Sequence, residues 1–313
     1  MVIKQALIDI GSNSMRLTVY ETDGAGFRTL FKGKIMAGLA GYVEGGALSS
    51  EGIECACNGL LKFRGVLESL HIGNVAVFAT ASLRNVKNSG EAAAAIKTVT
   101  GFDVEILSGE EEALYGYAGA MQEVRLPCGA YVDIGGASTE VVSFADGRVI
   151  AEASFAVGSL RLYKECVRKI LPGEGAVKRI QGTIVSGIDQ TSAFPFEKRT
   201  PLVCVGGTAR AVMKIARKVY GLPGASRTLS SAQLSDLCAL LRRGDRAAAE
   251  LILKLEPERI HTLVPGSMIL EHICGLFASE EIIVSKYGVR EGYLCQKIWK
   301  RNGESMSTPK TES

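Results

Sequence analysis

ALIDIGSNS (residues 6–14) and AYVDIGGAS (residues 130–138) are two versions of one pattern, in which an apolar run reaches aspartate, isoleucine and glycine and then turns into small residues. Equivalent positions stand at a constant offset of 124 residues. Each apolar run predicts a strand, and the apolar stretches at residues 17–20 and 141–144 predict a second strand after each loop. A repeat over so long an interval indicates two duplicated domains instead of a short solenoid unit.

Helix and strand patterns alternate along the rest of the chain. Apolar residues at helical spacing predict helices at residues 50–70, from about 90, and at 158–170, 174–189, 230–243, 257–277 and 290–300, with another after Gly206. Short apolar runs predict strands at residues 75–79, 104–107, 202–205 and 281–285. This alternation predicts an α/β fold.

The length of 313 residues is enough for two domains with separate cores. We place their boundary near Pro127, so that residues 1–125 form one phosphate-binding domain and residues 126–300 form the other. The polar residues 301–313 lack periodicity and are expected to be a disordered tail. Hydrophobic residues make up 47% and charged residues 22% of the chain, which is an ordinary globular composition.

The charge balance and the hydropathy pattern exclude several classes of protein. A net charge of +3 and a pI near 8.4 are too weakly basic for a protein held on nucleic acid by phosphate neutralisation. No run of about 18 apolar residues predicts a membrane span, and Lys4 and Asp9 interrupt the apolar N-terminus, where no signal-peptide cleavage pattern follows. The eight cysteines form no C-x-x-C pair and are expected to be reduced thiols. We therefore expect a cytoplasmic protein.

The two aspartate, isoleucine and glycine loops are the strongest chemical signal. Small residues let backbone N–H groups approach an anion closely, and hydroxyl or amide side chains add donors at the same place. The candidate phosphate-binding residues of the loops are Asp9, Gly11, Ser12, Asn13, Ser14, Gly135, Gly136, Ser138 and Thr139. A single loop of this kind is more often a plain hairpin, but two matching loops favour an anion site.

Each loop follows an aspartate whose burial without a partner would be costly, and a cation is the natural partner. Asp133 and Glu140 are seven residues apart across the second loop, and carboxylate oxygens together with phosphate oxygens suit Mg²⁺. We therefore predict that these two residues are metal ligands. In the alternative interpretation, Glu140 only begins a strand and points to solvent.

Two further segments carry charges that suit phosphate chemistry. The acidic run Glu110–Glu112 begins a predicted helix, where the helix dipole alone favours carboxylates, but a carboxylate near phosphate can also deprotonate water. Arg84 follows a predicted strand. It can clamp phosphate oxygens, or it can be an ordinary surface arginine.

A glycine-rich helix start provides a third candidate anion site. Gly206, Gly207 and Thr208 follow a predicted strand and begin a helix, and we predict that they bind phosphate. Four basic residues fall near one face of that helix: Arg210, Lys214, Arg217 and Lys218. We consider two interpretations of this face, a solvated basic surface, which is the usual one, and a track for the distal phosphates of a polyanion.

These segments resemble the family of exopolyphosphatases and guanosine pentaphosphatases, the Ppx/GppA phosphatases. The similarity occurs in the family's order, covers nearly the whole chain, and is carried by ALIDIGSNSMRLTVYE (6–21), FATASLRNVKNS (78–89), ILSGEEEALYGYAGA (106–120), YVDIGGASTEVV (131–142), FAVGSLRL (155–162), VCVGGTARAV (203–212) and VSKYGVREGYL (284–294). The resemblance implies the actin-like fold shared by acetate and sugar kinases, Hsp70 and actin. In this ribonuclease H-like architecture, two similar domains clasp phosphate in the cleft between them.

The resemblance also implies a role for each matching residue. Glu112 becomes the catalytic base, and Asp133 and Glu140 act at the metal ion and the attacking water. The terminal phosphate would be held by Arg84, Ser14, Gly135, Gly136 and Ser138. Mg²⁺ is the implied cofactor, with Mn²⁺ as a substitute and a monovalent cation such as K⁺ as a further candidate. A homodimer is the implied assembly.

Three features depart from the family pattern. The third glycine of the second loop is replaced by Ala137, for which we expect an ordinary φ because a left-handed backbone would cost about 1–2 kcal/mol. Leu114 stands where the family often has arginine. The chain also resembles the short, two-domain form, without the C-terminal helical domain and HD-type histidine and aspartate cluster of long members, which bears on its grip on long substrates.

The leading prediction is an exopolyphosphatase that releases orthophosphate from the end of inorganic polyphosphate, including short chains. The competing enzyme is a guanosine pentaphosphate phosphohydrolase, which would use the same catalytic groups and need a guanosine pocket. A kinase of the same fold is disfavoured because Glu112 suits the activation of water, which a kinase must exclude. A sensor that binds polyphosphate or nucleotide without turnover is the alternative from a different class.

Overall fold

The computed structural model describes residues 2–22, 26–190 and 193–299. The chain divides into two compact units, Met1–Ser108 with the segment that begins at Tyr293, and Gly109–Gly292. The predicted disordered tail at residues 301–313 lies outside the described residues.

The first unit is built on a five-stranded sheet. Its elements are β1 (Ile3–Ile10), β2 (Met15–Thr22), β3 (Phe27–Ile35), β4 (Val43–Glu44), β5 (Ala47–Leu48), α1 (Ser50–Ser69), β6 (Val75–Ala79), α2 (Ala81–Arg84), α3 (Ser89–Thr100) and β7 (Val104–Ile106). The strand order is β3-β2-β1-β6-β7, while β4 and β5 form a separate two-stranded sheet. Strand β1 is antiparallel to β2 and parallel to β6, so the predicted first phosphate loop is the turn between β1 and β2.

The second unit is built on a six-stranded sheet. Its elements are α4 (Gly109–Met121), β8 (Gly129–Ile134), β9 (Thr139–Ala145), β10 (Arg148–Phe155), α5 (Ser159–Cys166), α6 (Glu174–Ile188), β11 (Leu202–Val205), α7 (Gly206–Tyr220), β12 (Thr228–Ser230), α8 (Ser231–Arg242), α9 (Arg246–Leu255), α10 (Leu263–Leu276), β13 (Glu281–Val284) and α11 (Val289–Tyr293), which ends in the first unit. The strand order is β10-β9-β8-β11-β13-β12.

The strand orders confirm the duplication that the two loops predict. The order β3-β2-β1-β6-β7 of the first sheet corresponds to β10-β9-β8-β11-β13 of the second, and β12 is an addition at the edge. The directions agree as well, because β8 is antiparallel to β9 and parallel to β11, as β1 is to β2 and β6. The predicted α/β class with two similar halves is therefore confirmed.

Local sequence explains where several elements begin and turn. The hydroxyl of Ser49 caps α1 by accepting a hydrogen bond from the Gly52 N–H. Ser230 and Gln233 form a reciprocal capping box at the start of α8. Asp146 and Gly147 both have positive φ, at 51° and 68°, which suits the two-residue turn between β9 and β10.

Two features of the second half differ from the predicted helices. The segment Arg246–Leu255 is a helix, α9, that the apolar spacing did not reveal, and the predicted helix at 257–277 begins only at Leu263. Pro257 begins a short 3₁₀ turn that interrupts the helical run, and Glu256 before it has a non-helical φ of −141°. A residue that precedes proline is restricted away from helical geometry, which accounts for the break.

Helix α4 determines where the contacts divide the chain. The predicted boundary is near Pro127, whereas the compact units separate after Ser108. Ala113 of α4 shares a buried cluster with Tyr131 of β8. The helix that carries the acidic run therefore belongs to the second unit, together with the second loop.

The C-terminal segment completes the first unit. Tyr293 stacks on Phe78 with ring centroids 4.8 Å apart, and its hydroxyl donates to Glu105 at 2.8 Å. Trp299 packs against Phe27. The predicted last helix consists, as far as the chain is described, of α11 and a π-helical turn that ends at Trp299.

No described helix has the length and apolar character needed to cross a membrane. The eight cysteines are free thiols, as predicted. Burial raises the pKa of Cys238 to about 12 and that of Cys274 to about 11. These buried thiols stay protonated at neutral pH, which makes them poor nucleophiles.

Candidate active site

The two predicted phosphate loops, residues 11–14 and 135–138, share one backbone turn. The Gly11 N–H donates to the Ser14 carbonyl at 3.2 Å, and the Gly135 N–H donates to the Ser138 carbonyl at 2.9 Å. A Cβ on Gly11 would lie 3.0 Å from that carbonyl oxygen, and one on Gly135 would lie 3.1 Å from its counterpart. A Cβ would therefore be crowded at the same place in both turns, which favours glycine there for the same steric reason.

The first loop is held by a neighbouring segment of its own unit. The N–H groups of Gly38 and Ala40 donate to the carbonyls of Asn13 and Ser12, each at 2.9 Å. Ser12 is buried, whereas Asn13 and Ser14 are partly exposed. Two loop carbonyls are thus satisfied from one side, which leaves the side chains of Asn13 and Ser14 at the surface of the turn.

The second loop is held by the start of α5. The Ser159 N–H donates to the Gly135 carbonyl at 3.0 Å, and the N–H groups of Leu160 and Arg161 both donate to Gly136 at 2.9 Å. Ala137 does not have a positive φ, which confirms the expectation for the substituted glycine. These contacts direct the loop carbonyls towards α5.

Two threonines predicted to bind phosphate hold the backbone. Thr139 is fully buried, and its hydroxyl donates to the Val157 carbonyl at 2.6 Å. The Thr208 hydroxyl donates to the Ile134 carbonyl at 3.4 Å, and Thr208 is also buried. Both hydroxyls therefore have a structural role, and their assignment to a phosphate stays a prediction.

Arg84 ends the short helix α2 in the first unit. One guanidinium nitrogen, Nη1, donates to the Leu107 carbonyl at 3.2 Å, and the side chain is only partly exposed. At the start of the same helix, the Ser82 hydroxyl donates to the Ile10 carbonyl at the end of β1. The helix is thus fastened to the strand that leads into the first loop, and Arg84 is more constrained than an ordinary surface arginine.

The predicted metal ligands lie opposite each other in the second sheet. Asp133 of β8 pairs with Glu140 of β9 in the antiparallel register, so both side chains project from the same face. Glu140 is 1% exposed, and its Oε1 accepts a hydrogen bond from the Ser154 hydroxyl at 2.8 Å. The alternative in which Glu140 points to solvent is therefore wrong.

Tyr131 shows how near Glu112 lies to this pair. Its pKa is raised well above the usual value of a phenol, mainly by burial and then by the charges of Asp133, Glu140 and Glu112. The structure therefore brings the three predicted catalytic carboxylates into electrostatic range of a single buried group. Glu112 is 8% exposed, so its side chain is directed inward from the first turn of α4.

The glycines at the start of α7 make room for a charged pair. Gly206 has a φ of +80°, and a Cβ there would lie 2.2 Å from Oδ1 of Asp133. A Cβ on Gly207 would lie 1.7 Å from Nη2 of Arg259. The two glycines therefore let the helix N-terminus, a carboxylate and a guanidinium approach one another closely.

Arg259 is a candidate site residue that the sequence analysis missed. Burial lowers its pKa from the usual value of an arginine, while Glu256, Glu258 and Asp133 act in the opposite direction. It lies on the short turn before α10 and touches Gly207. The signal for Arg259 in the sequence is indirect. Two adjacent glycines at the start of a helix leave room for a large side chain from a neighbouring segment.

The basic face of α7 is engaged in structural contacts. Lys214 donates to the Leu255 carbonyl at 2.6 Å and pairs with Glu256 at 2.9 Å. The Nε of Arg217 donates to the Ser226 carbonyl at 2.8 Å. These contacts disfavour the interpretation of this face as a track for distal phosphates.

The donor set limits which metal ion the second unit can hold. No group of three or more histidine, cysteine, aspartate or glutamate side chains suited to a metal occurs within the described ranges. Asp133 and Glu140 are two hard oxygen donors on one sheet face. Such a pair fits an ion that takes its remaining ligands from water and phosphate, which is typical of Mg²⁺.

Comparisons with known proteins agree with this description. Residues 18–301 match the Ppx/GppA phosphatase family. The protein named exopolyphosphatase 1 from Mycobacterium tuberculosis is 24% identical over 308 residues, which covers 95% of this chain and 88% of the relative. The exopolyphosphatase 1 of Mycobacterium leprae is 22% identical, with 95% and 90% covered.

Solved structures share the fold. A crystal structure of an exopolyphosphatase from Cytophaga hutchinsonii has a TM-score of 0.84 at 22% identity and covers 97% of this chain and 100% of that chain. The Aquifex aeolicus member of the Ppx/GppA family has a TM-score of 0.78 at 23% identity, with 96% and 99% covered.

Proposed function

The chain belongs to the Ppx/GppA phosphatase family, and from this membership we propose that it is an exopolyphosphatase, which hydrolyses the terminal phosphoanhydride bond of inorganic polyphosphate. The observation that carries this proposal is the pair Asp133 and Glu140 on one face of the second sheet, in the same unit as Glu112, which is buried in the first turn of α4. Phosphoryl transfer to water requires a base and neutralisation of phosphoryl charge, and little covalent chemistry from the protein.

Glu112 is the proposed general base. Its carboxylate would accept a proton from the attacking water as the water oxygen bonds to the terminal phosphorus. The bridging P–O bond then breaks, orthophosphate leaves, and the shortened chain keeps the bridging oxygen. Such proton transfer contributes about 10²- to 10⁴-fold to a rate, and the first turn of α4 fixes the base on a rigid element.

Asp133 and Glu140 are the proposed ligands of Mg²⁺. Proteins commonly bind this ion through one or two carboxylates and leave other positions to water and phosphate oxygens. When bound, the ion would supply charge neutralisation at the phosphoryl oxygens. The Ser154 hydroxyl holds one oxygen of Glu140, so it would orient this ligand. Activation by Mn²⁺ or K⁺ stays a prediction.

Neutral and cationic donors would hold the phosphoryl groups. In the second unit these are the turn at Gly135–Ser138, the N-terminus of α7 and Arg259, which lies at that N-terminus. In the first unit they are the turn at Gly11–Ser14 and Arg84. Backbone N–H groups in such turns are preorganised, so they stabilise developing charge without reorganising.

Polyphosphate is preferred over guanosine pentaphosphate as the proposed substrate for one reason. The features that support catalysis are turns, carboxylates and guanidinium groups, which recognise phosphate and need no nucleoside. The similar relatives carry the name exopolyphosphatase, in agreement with this choice. Hydrolysis of guanosine pentaphosphate by the same groups is the alternative that the experiment below separates.

The test is phosphate release from tripolyphosphate, long-chain polyphosphate and guanosine pentaphosphate, with Mg²⁺ or EDTA. Wild type is compared with Glu112→Gln, which keeps the shape of the side chain and removes the base. Glu110→Gln is the matched control, because Glu110 is an exposed acid in the same helical turn. We expect Mg²⁺-dependent release from polyphosphate that only Glu112→Gln loses, by about 10²-fold or more.

Other outcomes assign a different function. Release mainly from guanosine pentaphosphate would identify the alternative enzyme. Binding of polyphosphate without release from any substrate would identify a sensor. Equal turnover by wild type and Glu112→Gln would remove Glu112 from the mechanism.

A further inference from the structure

A row of side chains crosses the first sheet at the level of the first phosphate loop. Asp9 of β1 pairs with Arg16 of β2, and Arg16 pairs with Lys34 of β3. Directly opposed residues in antiparallel strands project from the same face of a sheet. The row therefore presents one carboxylate followed by two cations, and it ends at the edge of the sheet.

The equivalent row of the second sheet has the opposite character. There Asp133 pairs with Glu140, and Glu140 pairs with Ser154. Because the two sheets share strand order and direction, the positions of Arg16 and Lys34 correspond to those of Glu140 and Ser154. The same backbone thus presents a cation-binding pair in one unit and an anion-binding pair in the other.

A second lysine extends the cationic row along the edge strand. Lys32 is two residues from Lys34 and pairs with Thr18, so both lysines lie on one face of β3. Gly33, between them, belongs to the other face, where a Cβ would touch Phe63 of α1 at 3.2 Å. Both lysines are exposed, and Lys32 forms no ion pair with any described residue. Arg16 links the row to the loop, since its Nε donates to the Ser14 hydroxyl at 3.4 Å.

We propose that Arg16, Lys34 and Lys32, the β3 strip, bind the distal phosphates of a linear polyphosphate that enters the first loop. This inference rests on the proposed function. It makes the β3 strip the part of the protein that sets the preference for long over short polyphosphate. Neighbouring strands are about 4.8 Å apart and alternate residues of a strand about 6.8 Å apart. The strip therefore begins next to the loop. Lys34 is about 10 Å from Asp9, and Lys32 is further away.

Distance explains why the strip distinguishes long substrates from short ones. A substrate of a few phosphates held at the loop ends before it reaches Lys32, whereas a long chain passes both lysines. Removal of each exposed lysine beside the polyanion is expected to weaken long-chain affinity about five-fold, which corresponds to about 1 kcal/mol.

The experiment compares Lys32→Gln/Lys34→Gln with wild type on long-chain polyphosphate and tripolyphosphate. The expected result is a rise of about 10- to 30-fold in the ratio of the long-chain KM to the tripolyphosphate KM, with a flatter salt dependence of the long-chain KM. Lys4→Gln is the matched control, because Lys4 is an exposed lysine at the far end of the same sheet. Lys34→Arg, which keeps the charge, should leave the ratio of the long-chain KM to the tripolyphosphate KM close to the wild-type value.

A binding measurement separates this inference from the proposed function. Long-chain polyphosphate is titrated into Glu112→Gln with and without the two lysine substitutions, so the result does not depend on turnover. Weaker binding of the long chain alone supports the strip, even if wild type proves to be a sensor. Equal long-chain binding, or an equal loss for tripolyphosphate, overturns it.

Discussion

Gly206→Ala should disable the second unit's carboxylate pair while leaving the fold intact. Gly206 has a φ of +80°, and an added Cβ would lie 2.2 Å from Oδ1 of Asp133. Gly221, at the other end of α7, has a φ of +64° but no atom within 4 Å of an added Cβ. Alanine at either position costs about 1–2 kcal/mol of backbone strain. Only the first substitution also forces Asp133 to move.

The two variants therefore separate strain from displacement. Both should unfold about 2–4 °C earlier for each kcal/mol lost. Only Gly206→Ala should lose phosphate release, by about 10²-fold, because a misplacement of about 1 Å at a reacting group costs that much. The assay is steady-state hydrolysis of polyphosphate with Mg²⁺, alongside thermal unfolding of both proteins.

A double-mutant cycle with Asp133→Ala tests whether Gly206→Ala acts through the Asp133 carboxylate. If Gly206→Ala acts through the displaced carboxylate, then adding it to Asp133→Ala should cause no further loss of rate, because the two changes remove the same interaction. Independent effects that multiply, or equal activity of Gly206→Ala and Gly221→Ala, would refute this reasoning.

Three further predictions concern single side chains. Arg259→Ala should lower kcat/KM by about 10- to 100-fold, and Arg259→Lys should recover only part of it, because an ammonium cannot reproduce the planar guanidinium that lies on Gly207; steady-state kinetics of both variants on polyphosphate check this. Tyr131→Phe should raise the free energy of unfolding by about 1 kcal/mol, measured in urea, because the buried Tyr131 hydroxyl has no hydrogen-bond partner among the described residues. Burial raises the pKa of Glu123, but the hydrogen bond and charge of Arg227, with two further donors, bring it below the usual value. Glu123 therefore contributes stability above its unfolded pKa that is lost as pH falls through the folded pKa, and Glu123→Gln should flatten the decline of unfolding free energy between about pH 5 and pH 3.

The duplication was predictable from the sequence because its evidence is local. Both turns have glycine at the same crowded place, and both lie between apolar runs. Strand β3, in contrast, gave no clear period. A register shift opposite Val19 and Tyr20 inserts an extra residue in β3, and an edge strand keeps many of its side chains in water. The extra residue and the exposed edge position both disrupt the alternation of apolar and polar residues that usually indicates a strand.

The candidate site was predictable where its residues are close in sequence, and it was not predictable where they are far apart. Asp133 and Glu140 flank one turn, so their pairing follows from the hairpin alone. Arg259 reaches the same neighbourhood only through the packing of α7, and no short pattern records that contact. Thr139 and Thr208 illustrate the opposite case, since they have the right chemistry in the right segment, yet their hydroxyls donate to backbone carbonyls.

The contrast between the two rows gives a physical reason why the two halves would have different tasks under the proposed function. A duplicated hairpin places one side chain of its second strand opposite the loop aspartate in each unit. Where that side chain is Glu140, two negative charges share one sheet face and favour a divalent cation as their partner. Where it is Arg16, the aspartate has a cation opposite it from the protein itself, so the first loop has no comparable demand for a metal ion. Under the proposed function, this one register position would separate a phosphate site in the first turn from a metal site in the second.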